Sequence, residues 1–257
     1  MESFFTTEVL SALLTLTFLE IVLGIDNILF VSIIAGKLSE HQQKRAIGLG
    51  MAMAMILRLV LLLGISLLMR MQDTWIKLDN KIIHAEISGQ AILLFLGGLF
   101  LLYKSTKEIY EKVELEGDKH FQAKGQTTLT KAVLQITLIN LVFSVDSILT
   151  ALGMSNGLPY ASWVMGIAIV VSILIMMLFT HPVGNFVNQH PSLQVLGLSF
   201  LLLIGFMLLA EAAHLSHTQI LGQEVGSIPK GYLYFAIAFS LGVEFINMKL
   251  RKRPKKL

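Results

Sequence analysis

Seven apolar stretches separated by polar segments dominate the chain, near Val9–Ala35, Ala46–Met69, Ile87–Tyr103, Ala132–Leu152, Tyr160–Phe179, Leu193–Ala213 and Gly231–Met248. Each is long enough, or nearly so, to cross a hydrocarbon layer of about 30 Å as a helix. The third reaches full length only by including Ser88 and Gln90. The stretches are apolar almost all round, and in lipid such a segment must satisfy its own backbone polar groups, which a helix does. Short alternating strands of the kind that build an outer-membrane barrel are absent from the pattern. The expectation is an all-α, polytopic membrane protein of about seven transmembrane helices, forming one transmembrane domain over 1–257.

Composition agrees with this picture. The chain has 257 residues, of which 54% are hydrophobic and 14% charged, against about a quarter charged in ordinary soluble domains. There is no cysteine, which removes disulfides, zinc–cysteine sites and thiol catalysis from consideration. The charged side chains before Val9 are acidic, so the start lacks the basic n-region of a secretory signal. Placing the N-terminus outside puts fifteen Lys and Arg in the cytoplasmic segments and four (Arg70, Lys77, Lys81, Lys230) outside. The positive-inside rule therefore orients the chain with its N-terminus out and its C-terminus in. The basic tail 249–257 reads as an anchor to anionic headgroups rather than a nucleic-acid patch. Residues 104–131 mix both charge signs and read as a mobile cytoplasmic loop.

A local pattern occurs twice. Glu20-Ile-Val-Leu-Gly-Ile-Asp26-Asn27-Ile-Leu29 aligns without gaps on Asn140-Leu-Val-Phe-Ser-Val-Asp146-Ser147-Ile-Leu149. The match places Glu20 over Asn140, Gly24 over Ser144 and Asn27 over Ser147, and repeats an intramembrane aspartate. A weaker echo sets Gly98-Leu-Phe-Leu-Leu over Gly205-Phe-Met-Leu-Leu. Units of three spans enter the membrane from opposite sides, so the repeat predicts a 3+3 inverted architecture. Its parts are repeat one over 9–103, repeat two over 132–213 and a final helix over 231–248.

The duplicated polar residues carry the candidate chemistry. A carboxylate at a helix centre in lipid costs about 2.5–3.5 kcal/mol on the lenient insertion scale. Asp26 and Asp146, at matched depths, need an offset such as a bound cation, a proton or a salt bridge. At about 100° per residue Glu20 and Asn27 share one helix face, while Asp26 lies about 120° from Glu20. A local break at Gly24 would turn Glu20 and Asp26 toward one point and free carbonyls as ligands. The resulting donor set, Glu20, Asp26, Asn27, Asn140, Asp146 and Ser147, is all hard oxygen and suits magnesium, calcium or manganese. Arg58 is the cation set deep inside a span, where it pairs with Glu20 or an aspartate, snorkels, or satisfies a backbone break. Glu211 and Glu244, near the ends of the sixth and seventh spans, are candidate gate or access residues. His181 and His190 read as a short loop, and His214 and His217 as a helix end, none with a metal role. No phosphate-binding glycine loop or ATPase motif is present, so transport would be driven by an ion gradient. No enzymatic activity and no required cofactor is expected.

Leu19-Glu-Ile-Val-Leu-Gly-Ile-Asp-Asn-Ile28 together with Phe143-Ser-Val-Asp-Ser-Ile148 resembles the paired signature of the TerC family of membrane proteins. Gly97-Gly-Leu-Phe100 followed by Lys104-Ser-Thr-Lys-Glu-Ile109 is similar to one bacterial inner-membrane branch of it. The resemblance implies a seven-helix exporter fold, a bacterial inner-membrane location, and a metal role for Glu20, Asp26, Asn27, Asp146 and Ser147. Manganese efflux, with proton coupling, is the activity it implies. One departure is Asn140, where relatives carry an aspartate. Competing readings are a non-transporting scaffold or assembly factor supporting metal homeostasis or metallation of exported proteins, an exporter of a small organic solute, and an intramembrane hydrolase using paired aspartates. Oligomeric state is not legible.

Overall fold

The computed structural model describes residues 6–80, 83–115, 127–155 and 160–251, with the backbone alone at certain helical positions, Asp26 and Asp146 among them. Each expected stretch falls mainly on one long helix, the second running on into a short one. The helices are α1 (Thr7–Gly36), α2 (Glu40–Leu63, with the short α3, Ile65–Arg70, after it), α4 (Gly89–Tyr110), α5 (Leu129–Ser155), α6 (Ala161–Asn188), α7 (Pro191–Leu215) and α8 (Lys230–Arg251). Local chemistry sets the starts. Thr6 caps α1 by accepting from Val9 N, Ser88 caps α4 by accepting from Ala91 N, and Pro191 opens α7, where a missing N–H costs nothing.

Among the described residues α2, α4, α6, α7 and α8 are each long and apolar enough to cross a membrane. A sixth is α1, if its segments Thr7–Val22 and Asn27–Gly36, which diverge by 42°, form one bent span. In α5, which runs 27 residues over Leu129–Ser155, the apolar run among the described residues covers Leu129–Val145.

The helices gather into two compact units. The first comprises Met1–Gln72 and Gln122–Gln189, the second Asp73–Phe121 and His190–Leu257. In the first, α1 packs chiefly on α6 and α2 on α5. Small residues permit the closeness: a Cβ on Gly50 would fall 2.6 Å from Ile136 Cγ2, and one on Gly184 would fall 3.0 Å from Ser32 Oγ. Ser32 also donates to Ile28 O at 2.6 Å and to Thr180 O at 3.3 Å, tying α1 to α6. In the second unit α4 packs on α7, with α8 against α7 and most of its surface exposed.

Three expectations are corrected. The segment 104–131 is not loop from its start, because α4 runs to Tyr110 and a π-helical turn follows over Glu111–Leu115. Burial holds it helical: Ser105 is buried and donates to Leu101 O, and Lys104 Nζ meets Glu108 Oε1 at 2.7 Å. Lys119 and Lys124 lie outside the described residues, as do Lys81 and the tail beyond Arg251. His181 is not in a loop either, since α6 continues through Pro182 to Asn188, where its packing on α1 persists. Finally, the all-α pattern carries an addition, a four-stranded antiparallel sheet in the order β1 (Thr74–Asp79), β2 (Ile83–Ser88), β3 (Gln219–Ile220), β4 (Gln223–Glu224). Its register sets Ile76 against Ile87 and Leu78 against Ala85 on one face, and Lys77 against Glu86 and Asp79 against His84 on the other. The hydrogen bond and charge of Lys77 hold the Glu86 carboxyl below its ordinary value.

Candidate functional site

The polar interior of the first unit is built on α1. Glu20 and Asn27, two turns apart, are each 1% exposed, as the shared face requires. From α2, Arg58, also 1% exposed, reaches across and its Nη1 donates to Glu20 Oε2. Its Nε donates to Ser144 Oγ on α5 at 2.8 Å. The Ser144 hydroxyl in turn donates to the carbonyl of Asn140, one turn earlier. One guanidinium thus ties three helices together. A buried charge persists only when paired and hydrogen-bonded, and Arg58 is both.

Not every polar atom here is used. Glu20 Oε1 and both amide atoms of Asn27 are buried with no hydrogen-bond partner among the described residues. Leaving such a group unsatisfied costs about 1–3 kcal/mol. Asn140 and Ser147 of α5 are buried as well. Asn140 Nδ2 donates to Ile136 O at 2.9 Å, and Ser147 Oγ donates to Ser144 O at 3.3 Å.

The backbones of Asp26 and Asp146 lie in α1 and α5, each one residue before a buried polar side chain, Asn27 and Ser147. Their own side chains lie outside the described residues. No group of three or more His, Asp or Glu side chains that could hold a metal occurs among the described residues. The described buried donors in this unit are one carboxylate, that of Glu20, with amide and hydroxyl oxygens. Gly24 lies in the four-residue break at which Thr7–Val22 and Asn27–Gly36 diverge by 42°. A Cβ on Gly24 would fall 2.1 Å from Met176 Sδ of α6, so a larger residue there would make the flexible Met176 side chain move.

Among the described residues Arg58 pairs with Glu20. Ser144, its second acceptor, was visible only as a small residue aligned with Gly24. Glu211 and Glu244 belong to the other unit. Glu211 is half-buried on α7. Glu244, on α8, lines an open cleft with Ser192, Ser199 and Ser240, and its Oε1 is buried without a partner.

Residues 5–256 match the family described as "Integral membrane protein TerC family". The chain is 39% identical to a UPF0053 protein of Haemophilus influenzae over 244 residues, 95% of each chain. It is 40% identical to the UPF0053 inner membrane protein YgdQ of Escherichia coli over 242 residues, covering 94% of this chain and 93% of that one. The UPF0053 inner membrane protein YoaE of Escherichia coli is also 40% identical, over 98% of this chain but 45% of its own length. No solved structure matches. With matching helices, a doubled signature and a family match over nearly its whole length, the chain belongs to the TerC family of integral membrane proteins.

Proposed function

We propose that this protein is a divalent-cation transporter of the bacterial inner membrane, exporting manganese by ion-coupled alternating access. The observation that carries the reading is the pair of buried side chains on α1, Glu20 and Asn27, with a carboxylate oxygen and an amide that have no partner among the described residues. These are hard oxygen donors suited to manganese, magnesium or calcium, and they flank Asp26 at a 42° bend. Asp26 from the first half of the chain and Asn140, Asp146 and Ser147 from the second complete the ligand set. The relatives named as inner membrane proteins support the location.

The test is manganese flux in proteoliposomes, comparing the native protein with Asp26→Asn. The substitution keeps shape and removes the charge that offsets the ion, so flux is expected to fall to that of protein-free vesicles. Flux unaltered by Asp26→Asn overturns the site. Absent flux from the native protein, with a stoichiometric partner co-purifying, favours the scaffold reading instead.

A further inference from the structure

We propose that the cleft between α7 and α8 is a binding site for the headgroup of an aminophospholipid, with its ammonium seated on Glu244. The site lies within the second unit and does not rest on the cation reading above. Positions 192, 195, 196 and 199 share one face of α7, and 239, 240, 243 and 244 share one face of α8. Between these faces lies an open cleft of about 350 Å3, at the small end of the range for ligand pockets. Both helices are long and apolar enough to cross a membrane. Phe239 and Val243, in the lining, are 63% and 42% exposed. The cleft therefore opens sideways toward acyl chains, and its occupant comes from the bilayer.

Inside it stands a carboxylate, which is costly within a span unless it is partnered. Glu244 Oε1 is buried with no partner among the described residues, and the described lining holds no basic side chain. Ser192, Ser199 and Ser240 add hydroxyl oxygens. The Ser199 hydroxyl donates to the Val195 carbonyl at 2.9 Å, so toward a ligand its oxygen acts as an acceptor. A primary ammonium has three N–H donors and no acceptor, and one carboxylate among hydroxyl oxygens matches it. A quaternary ammonium has no N–H to give, and a glycerol headgroup brings no positive charge.

The phosphate has a partner as well. Arg251, two turns beyond Glu244 on the same face of α8, donates through Nη1 to Ser192 Oγ at 3.4 Å. Its guanidinium thus stands at the end of the cleft where α7 starts and α8 stops. A guanidinium has five N–H donors, more than one serine takes, and its planar fork suits phosphate oxygens. An acid within and an arginine at the mouth complement a zwitterion whose ammonium points inward and whose phosphate stays at the helix ends. The chains then run back over Val243 and Phe239.

The experiment is native mass spectrometry of the purified full-length protein in detergent. Phosphatidylethanolamine, phosphatidylcholine and phosphatidylglycerol with identical chains are added in equal amounts to native protein, Glu244→Gln and Ser240→Ala. Native protein is expected to bind phosphatidylethanolamine over either of the others by about tenfold, the worth of one hydrogen bond to a charged group. Glu244→Gln is expected to abolish that preference. Ser240→Ala is expected to reduce it by about threefold, for one neutral hydrogen bond, and it keeps the test available if Glu244→Gln fails to fold. Free phosphoethanolamine in excess is expected to displace none of the bound lipid, and displacement would overturn the bilayer as the source. Native protein that binds phosphatidylcholine or phosphatidylglycerol as well as phosphatidylethanolamine overturns the proposal, as does a preference that Glu244→Gln leaves intact.

Discussion

Asn140 shows how much a single atom type decides in this interior. Its Nδ2 donates to the Ile136 carbonyl one turn earlier, a bond that an aspartate carboxylate could not make and would be repelled by. Asn140→Asp therefore both adds a negative charge and turns the side chain away from the backbone, toward whatever cation is near. The expected result is a gain in Mn2+ affinity of about tenfold or more, read by titration of the purified protein. A unit charge pair about 4 Å apart at an effective dielectric of about 20 is worth about 4 kcal/mol, from which the cost of burying the new carboxylate is subtracted. Unchanged affinity would place Asn140 outside the ligand set. The residue scale is also where sequence reasoning was strongest. Spacing of seven put Glu20 and Asn27 on one face, and both are buried together. What spacing could not supply was the choice made by Arg58, because its partner depends on how α2 leans across α1 and α5. Ser144 is invisible for the same reason: as a serine in a helix it reads as a small packing residue until a guanidinium is seen on it.

At the scale of elements, the packing of α4 on α7 turns on two glycines from the weaker sequence echo. A Cβ on Gly98 would fall 2.8 Å from the Gly205 carbonyl oxygen, and one on Gly205 would fall 3.1 Å from the Gly98 carbonyl oxygen. The contact is reciprocal and its obstacle is backbone, so the helices must part to admit a methyl group. Gly98→Ala is expected to destabilise the protein by about 1–3 kcal/mol, the usual cost of overpacking, read as a lowered melting temperature in detergent. Adding Gly205→Ala is expected to cost less than its own separate effect, since the helices have already separated. A melting temperature unchanged by Gly98→Ala would remove this contact from the packing. Elements were legible in outline but not at their ends. Hydrophobicity finds where a helix is greasy, and α4 and α6 run past that point because Ser105, Glu108 and Gly184 remain buried in tertiary packing. The sheet escaped because two of its strands are two residues long and another lies at an exposed edge. Its one sequence signal, the alternation Ile76, Lys77, Leu78, Asp79, was short and sat between far stronger helical stretches.

For the whole molecule, the helix pairings respect an exchange of the two halves. Matching α1 with α5, α2 with α6 and α4 with α7 turns the α1–α6 pair into the α2–α5 pair, and maps α4–α7 onto itself. The sheet adds an argument about the number of crossings. β2 leads into α4 and pairs with β3, which follows α7, so both lie at one face of the membrane. Between them the chain must cross an even number of times. Three of the intervening helices, α4, α6 and α7, are long and apolar enough to cross. An even count then requires α5 to cross as well, although its apolar part reads short. This favours the seven-span reading, and the cysteine-free chain allows a direct check. Single cysteines at Asp79 and Gln223, both exposed on the sheet, are expected to react with a membrane-impermeant maleimide from outside intact cells. Cysteines at Gln42 and Lys249, exposed at the start of α2 and the end of α8, are expected to react only after permeabilisation. Six crossings separate these two positions if α5 spans, and five if it does not. Labelling Gln42 and Lys249 from opposite sides would therefore take α5 out of the membrane, and with it the second copy of the aspartate motif.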